Sequence, residues 1–162
     1  MLDLMPYSRG FTILELLVVI SIMILLSVLG LSVYGNAQKN NRDQARLLDL
    51  NTISQYLELY RHDQLYYPQN FNPSIDNQLQ APDGRVYSDD IPKDVDANRK
   101  YVYSAADCVT VGGQTKCYSY ILCAKQEGGM TFTDPLVGSV KCSDLTCGSS
   151  PAYTCTMGVS SD

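Results

Sequence analysis

An uninterrupted apolar run near the N-terminus constrains this chain more than any other feature of its sequence. The run covers 23 residues from Phe11 to Val33, and Glu15 is its only ionisable side chain. At about 1.5 Å per helical residue, a run of this length reaches roughly 35 Å, enough to cross a bilayer core of about 30 Å. The sequence therefore predicts a membrane-spanning helix rather than a buried helix of a soluble domain.

Glu15 conflicts with this environment. It is the fifth residue of the run, and the next charged residue is Lys39. A carboxylate inside a membrane costs on the order of 2.5 kcal/mol or more unless another group pairs with it. We therefore expect Glu15 to have a partner, and an isolated membrane anchor would offer none.

The residues at the start of the run resemble a known signal. Gly10, Phe11 and Glu15, followed by the long apolar stretch, resemble the prepilin-type N-terminal methylation region of type IV pilins and of type II secretion pseudopilins. In that family a membrane aspartyl peptidase removes a short polar leader ending in Gly, and the new N-terminal Phe is N-methylated. The resemblance implies that residues 1–10 form a cleaved leader and that Gly10 and Phe11 form the processing site.

The resemblance also implies a role for Glu15 in assembly. Cleavage before Phe11 creates an α-amine, and an amine with an ordinary pKa near ~8 is largely cationic at neutral pH. Pairing this amine with Glu15 of a neighbouring subunit offsets part of the cost of placing each charge in lipid. The implied partners are copies of the chain or other pilins, the prepilin peptidase/methyltransferase, the inner-membrane assembly platform and, before assembly, the membrane itself.

Other interpretations of the apolar run stay open. A secretory signal peptide could end near Gly35-Asn36-Ala37, although its apolar region is usually about 7–15 residues long. A membrane anchor carrying a disulfide-rich binding domain explains the run but leaves Glu15 without a role. Among filament subunits, the residues do not separate a type IV pilus subunit from a pseudopilin of a secretion or DNA-uptake system.

The composition bounds the rest of the chain. A length of 162 residues leaves room for one modest domain beyond the helix, and 12 basic against 17 acidic residues give a net charge of −5. No basic cluster is dense enough to follow a phosphate backbone, so no nucleic acid is expected as a partner. The sequence has a single histidine, His62, and no catalytic or phosphate-binding motif. We therefore expect no enzyme activity and no cofactor.

Six cysteines lie in the last third of the chain: Cys108, Cys117, Cys123, Cys142, Cys147 and Cys155. Outside the cytoplasm such a cluster indicates disulfides, and the paired C-x-x-C spacing that would favour zinc is missing. If Gly112-Gly113 forms a two-residue hairpin turn, Cys108 lies opposite Cys117 at a Cα separation of about 4.5 Å, within disulfide range. A longer loop that leaves Cys108 outside the hairpin stays open as the rival register. Cys123 is then free to join a tail cysteine, with three choices left open.

A second helical pattern follows the membrane run. Apolar positions at three- and four-residue spacing predict one buried face: Leu47, Leu50, Ile53, Leu57 and Tyr60. The charged positions between them predict a solvated face: Arg42, Asp43, Arg46, Asp49, Glu58, Arg61 and Asp63. Pairs such as Arg46/Asp49 and Glu58/Arg61 are within helical reach. The helix should end before Pro68, because the residue before a proline is pushed out of the helical region.

The polar stretch from residue 70 to residue 98 predicts loops. Four acidic residues in this stretch leave a calcium site open as an alternative: Asp89, Asp90, Asp94 and Asp96. No EF-hand pattern is present, and no ligand set or other metal site is assigned. The twelve tyrosines could form an adhesive surface, but we interpret them as a core between helix and sheet with hydroxyls at its rim.

The predicted fold is α+β, with a long N-terminal helix packed on a small disulfide-stapled head that contains β-strands. The predicted divisions are a leader (1–10), a transmembrane and filament-core helix (11–34), an amphipathic helix half (35–67) and a globular head with a Cys-rich C-terminal region (68–162). The predicted function is that of a structural subunit of a type IV pilus-like filament. We expect a single-pass protein of the cytoplasmic membrane, with its head outside the cytoplasm, that then enters an extracellular or periplasmic filament.

Overall fold

The computed structural model describes residues 10–129, 131–132, 134–148 and 152–161, without the side chain of Ser32. The chain divides into two compact units, residues 1–38 and 39–162. One helix, α1, runs from Ile13 to Gln64 and contributes residues to both units. Of the predicted leader, residues 1–9 lie outside the described residues and only Gly10 is placed.

The first unit presents an apolar helix surface on all sides. Between Ile13 and Tyr34 its large apolar side chains are 44% to 87% exposed. The hydroxyls of Ser21 and Ser27 are satisfied inside the helix, because each donates to the carbonyl four residues earlier at 2.7 Å. By length and composition this helix can cross a membrane. A helix without a polar face must be covered by lipid or by other apolar helices.

The part of α1 in the second unit buries one face against the head. The predicted apolar stripe is confirmed, since four of its members are at most 2% exposed: Leu50, Ile53, Leu57 and Tyr60. Leu47, the fifth member, is partly buried against the same core. Helix packing in this unit therefore follows the sequence pattern.

The helix ends at Gln64, before Pro68 as predicted. The next residue, Leu65, adopts the left-handed conformation with φ 66°, and its N–H donates to the carbonyl of Arg61 at 2.8 Å. A left-handed residue after the last turn is a common helix stop, although glycine is the usual occupant. On the exposed face of the last turns, Glu58 and Arg61 form the expected pair at 3.9 Å.

The head contains an antiparallel three-stranded sheet in the order β3-β4-β7 and two short two-stranded sheets. The three strands of the main sheet are β3 (Val102–Val111), β4 (Gln114–Ala124) and β7 (Met157–Ser160). The short sheets pair β1 (Leu79–Gln80) with β2 (Val86–Ser88) and β5 (Leu136–Val137) with β6 (Val140–Lys141). A single 3-10 turn is described, at Cys142–Asp144. The α+β fold class is as predicted.

Gly112 and Gly113 form the turn between β3 and β4. Both have positive φ angles, 62° and 81°, which a type I′ turn requires and glycine supplies without strain. The register set by this turn continues to the far ends of both strands. It places Cys108 opposite Cys117 with their Cα atoms 3.9 Å apart, and the structure joins them in a disulfide.

Two further disulfides fix the C-terminal region, Cys123–Cys142 and Cys147–Cys155. Cys123 thus joins one of the tail cysteines. These four half-cystines are fully buried and pack with Ile121 and Val137 in an apolar cluster separate from the main core. Since the tail has few large apolar side chains, the disulfides supply much of its packing.

Tyrosines fill much of the main core between α1 and the sheet, as predicted, but Tyr34 and Tyr118 are 63% and 48% exposed, so the interpretation does not hold for all of them. Tyr67, Tyr101 and Tyr120 are at most 1% exposed. Each hydroxyl has a polar partner: Glu58 for Tyr67 at 2.7 Å, Asp49 for Tyr101 at 2.6 Å and Ser54 for Tyr120 at 2.7 Å. Burial raises the pKa of Tyr101, so this phenol remains protonated and donates to the Asp49 carboxylate.

Candidate assembly segment

Glu15 lies in the first turn of α1 and is held there by Thr12. The backbone N–H and the hydroxyl of Thr12 both donate to Oε2 of Glu15 at 3.0 Å. The backbone N–H of Glu15 donates in return to Oγ1 of Thr12 at 3.2 Å. This reciprocal pattern is a capping box with Thr12 as the N-cap, and it satisfies two backbone donors that would be costly to leave unpaired in lipid.

The capping box leaves one carboxylate oxygen of Glu15 available. All three bonds run through Oε2 or the Thr12 hydroxyl, and within the described residues Oε1 has no partner. The ion pairs found in the described part of the chain all join residues between Arg42 and Glu127. Glu15 therefore has no cation among the described residues of its own chain.

Gly10 and Phe11 lie immediately before α1 and are exposed, Phe11 to 79%. A peptide bond in such a position is accessible to a peptidase. Thr12 was missed as a member of this segment by the sequence analysis, although Thr-x-x-Glu ahead of an apolar run is a recognisable capping signature.

The predicted solvated face of the second half of α1 is wrong at two positions. Asp43 and Arg46 are 0% and 2% exposed. Arg46 does not pair with Asp49 but donates to Asp43 at 2.9 Å, to both oxygens of Asp94 at 2.7 and 3.1 Å, and to Glu127 at 2.6 Å. Asp94 and Glu127 come from loops 48 and 81 residues further along the chain, and no helical periodicity could reveal them.

This buried ion cluster joins α1 to the loop after β4. Glu127 accepts from Arg42 and from Arg46 at 2.6 Å each, and these hydrogen bonds, that from Arg42 first, lower its pKa to about 2. Asp43 accepts the backbone N–H groups of Glu127 and Gly128 at 2.8 and 2.7 Å. A Cβ at Gly128 would lie 3.0 Å from the Asp43 carboxylate, so the close approach favours glycine. The cluster is structural and fully engaged within the head.

Two of the four acidic residues that left calcium open as an alternative, Asp94 and Asp96, use their carboxylates within the chain. Asp94 is paired with Arg46, and Asp96 accepts the backbone N–H of Asn98 and Nε of Arg99, both at 3.0 Å. The backbone hydrogen bond from Asn98, followed by that from Arg99, lowers the pKa of Asp96. Among the described residues no group of three or more His, Cys, Asp or Glu side chains is placed to hold a metal ion. Nothing in this part of the chain supports a calcium site.

Comparison with known proteins bears on the same N-terminal segment. The family model described as the prokaryotic N-terminal methylation motif matches residues 5–31. No curated protein and no solved structure matches the chain. The matched segment contains the Gly10-Phe11 bond, the Thr12/Glu15 capping box and most of the apolar run. The chain thus carries the prepilin-type signal of type IV pilins and pseudopilins.

Proposed function

We propose that this chain is a structural subunit of a type IV pilus-like filament, polymerised through residues 11–34. The observation that carries the proposal is the placement of Glu15. It is the one ionisable residue of an apolar run, and Thr12 fixes it in the first turn of α1. Its Oε1 has no partner among the described residues and can accept one from another subunit. A carboxylate presented in this way suits a cation supplied by another subunit.

Processing supplies that cation. Cleavage between Gly10 and Phe11 releases residues 1–10 and leaves an α-amine that is largely protonated at neutral pH, given an ordinary pKa near ~8. When this amine meets Glu15 of a neighbouring subunit, both charges are neutralised inside an apolar interior. Only one axial offset between neighbouring helices brings the two groups together, so the pair sets the stacking of subunits.

The other regions fit a subunit that changes its surroundings during assembly. Residues 11–34 are covered first by the cytoplasmic membrane and then by the same segment of other pilin subunits. The amphipathic half (35–67) and the head (68–162) lie outside the cytoplasm, where oxidising conditions maintain the three disulfides. The partners are prepilin peptidase/methyltransferase, the inner-membrane assembly platform and further pilin subunits of an extracellular or periplasmic filament.

The decisive experiment compares Glu15→Val with Ser21→Ala in cells that lack the native copy. Ser21 is a matched control in the same helix, since among the described residues its hydroxyl donates to the carbonyl of Leu17 at 2.7 Å and to no other group. We expect Glu15→Val to be cleaved and inserted in the membrane but absent from sheared filaments, because the neighbour's amine has lost its partner. Ser21→Ala should assemble like the wild-type chain.

The mature N-terminus is measured on the same material by intact-mass analysis. The proposal predicts a chain that begins at an N-methylated Phe11. Normal filament yield from Glu15→Val would refute the role of the carboxylate. A mature chain beginning after Ala37 would refute the proposal as a whole and assign the apolar run to a signal peptide.

Deletion of the gene distinguishes the two kinds of filament subunit that carry the same signal. Loss of surface filaments with normal protein secretion supports a pilus subunit. Loss of secretion of exoproteins with surface filaments intact would refute the pilus assignment and indicate a pseudopilin.

A further inference from the structure

The head contains an open cleft with a distinctive lining. The cleft lies between the chain that leaves α1, the turn between β1 and β2 and the tip of the β3–β4 hairpin, and its volume is about 390 Å³. This volume is within the range of about 300–1,000 Å³ that is usual for small-molecule sites. We call it the amide cleft after its side chains, which include Tyr66, Gln69, Asn70, Gln80, Gln114 and Thr115.

Three amides of the cleft are not used by the fold. Gln69, Asn70 and Gln114 are exposed, and within the described residues their side chains make no hydrogen bond. Each carries two N–H donors and a carbonyl acceptor on one rigid plane. A ligand that matches them must present donors and acceptors side by side, as the adjacent hydroxyls of a sugar ring do.

The cleft combines these amides with apolar surfaces and no charge. Its apolar residues include the half-buried Tyr66 and the exposed Pro82, with Tyr60 and Pro68 buried beneath them, and none of the described residues that line it is ionised at neutral pH. Aromatic and proline rings suit the C–H face of a pyranose, while the amides reach its hydroxyl rim. An anionic ligand such as a nucleic acid would find no cation in the lining.

The segments that form the cleft are held in place before any ligand arrives. The N–H of Tyr67 donates to the carbonyl of Cys117 at 2.7 Å, which ties the chain after α1 to β4. Tyr66 packs edge-on against Tyr60 with ring centres 6.1 Å apart, and Nζ of Lys116 lies 5.4 Å from the centre of the Tyr66 ring. A preformed cleft loses little conformational entropy when it binds.

The cleft continues beyond the space of a single ring. Two adjoining cavities of about 290 and 420 Å³ share Asn70 with it. Their lining adds one carboxylate, Asp76, whose Oδ2 already accepts the backbone N–H of Asn72 at 2.7 Å. A chain of linked rings can therefore extend from the amide cleft along the head.

We infer that the amide cleft binds a neutral oligosaccharide. An extended peptide that adds a strand is a poorer fit, because that mode of binding depends on free backbone groups of the receptor. Here the backbone N–H groups of Tyr67 and Ala81 are already used, the latter donating to the carbonyl of Arg85 at 2.8 Å. The unpartnered groups of the cleft are side-chain amides, which can donate to and accept from the hydroxyls of a sugar. This site is independent of polymerisation through the N-terminal helix.

The test uses the full-length chain in lauryldimethylamine oxide micelles, since a maltoside detergent would itself offer a sugar. Saturation-transfer NMR and titration are run with maltotriose, chitotriose and lactose as neutral probes, and with sialyllactose as a charged one. We expect at least one neutral sugar to bind, and Asn70→Ala and Gln114→Ala each to weaken it about five- to tenfold. Gln55→Ala, which removes an exposed amide from α1 outside the cleft, should leave affinity unchanged.

Because the side chains of Asn70 and Gln114 make no internal hydrogen bond in the described residues, neither variant should change the thermal midpoint, and an unchanged midpoint shows that a loss of binding does not come from misfolding. Failure of all three neutral sugars to bind would overturn the inference. So would an equal loss in Gln55→Ala, or binding of sialyllactose that exceeds binding of lactose. Binding of an uncharged Gly-Ala peptide without any sugar would assign the cleft to peptides and also overturn it.

Discussion

Among the charged residues of the second unit (39–162), Arg46 should be the one whose substitution destabilises the fold most. Its side chain is 3% exposed, and its guanidinium donates to Asp43, Asp94 and Glu127 at distances between 2.6 and 3.1 Å. In Arg46→Ala, the carboxylates of Asp43 and Asp94 stay at 0% and 1% exposure without this cation. Glu127 alone retains other arginines, Arg42 at 2.6 Å and Arg99 at 4.0 Å.

The expected loss follows from the burial of these carboxylates. Removing one partner of a buried ion pair costs about 3–5 kcal/mol, because the remaining charge is neither solvated nor neutralised. Domains of this size unfold with about 5–15 kcal/mol, so Arg46→Ala should lose about a fifth or more of the stability of the head. The unfolding free energy of Arg46→Lys should lie between those of the wild type and Arg46→Ala, since lysine keeps the charge but cannot form the bidentate contact with Asp94.

Arg42→Ala is the matched control. Its side chain is 42% exposed and, among the described residues, pairs only with Glu127, so its removal leaves no fully buried carboxylate unpaired and should move the unfolding midpoint much less than removal of Arg46. The measurement is urea unfolding followed by near-UV circular dichroism. The chain has no tryptophan, and all its tyrosines except Tyr7 and Tyr34 lie in residues 39–162, so the signal reports on the head. An Arg46→Ala midpoint equal to wild type, or an equal loss in Arg42→Ala, would refute the argument.

Local patterns in the sequence account for the elements that were predicted correctly. The apolar run and the stripe through Leu50 and Leu57 specify helix faces by periodicity alone. Gly112-Gly113 fixes a turn with two positive φ angles, and the turn fixes the register as far as Cys108 and Cys117. In each case the information lies within a few residues of the element it determines.

Features that depend on distant segments could not be predicted in this way. The strands β5 to β7 lie in a tail of small and polar residues without a clear period, so the partner of Cys123 stayed open among three cysteines. Asp43 and Arg46 look like surface residues of an amphipathic helix, and only the loops that bring Asp94 and Glu127 to them explain their burial.

The candidate assembly segment likewise has some features that a local motif predicts and others that depend on distant groups. Gly10, Phe11 and Glu15 can be read from one short motif, and the Thr12 cap could have been read with them. The partner of Glu15 belongs, in the proposed function, to another subunit, and no pattern within one chain describes contacts between chains. The amide cleft is also beyond sequence reasoning, since it joins residues from three separate segments.

Three further predictions concern the stability of the head. Glu127 has a pKa of about 2 in the folded chain against an ordinary 4.5, so its ionised carboxylate contributes fully to the stability of the head above pH 4.5. This contribution is lost as pH falls toward 2, and urea midpoints across this window should therefore fall less steeply in Glu127→Gln than in the wild type. In Gly158→Ala the added methyl group would lie 2.7 Å from a backbone carbonyl of β4, and we expect a loss of about 3 kcal/mol, whereas Gly129→Ala, which has open space, should be neutral by the same titration. Leu65→Gly should instead stabilise the head by about 0.5–1 kcal/mol, because leucine at φ 66° carries a left-handed penalty of about 1–2 kcal/mol that glycine avoids, less the extra entropy of glycine in the unfolded chain. Leu65 is 75% exposed, so little packing is lost with its side chain. Leu59→Gly, at another exposed leucine but inside α1, should destabilise by about 1 kcal/mol. If Leu65→Gly and Leu59→Gly shift the urea midpoint in the same direction, the left-handed backbone conformation of Leu65 does not cost the head stability, and the argument is refuted.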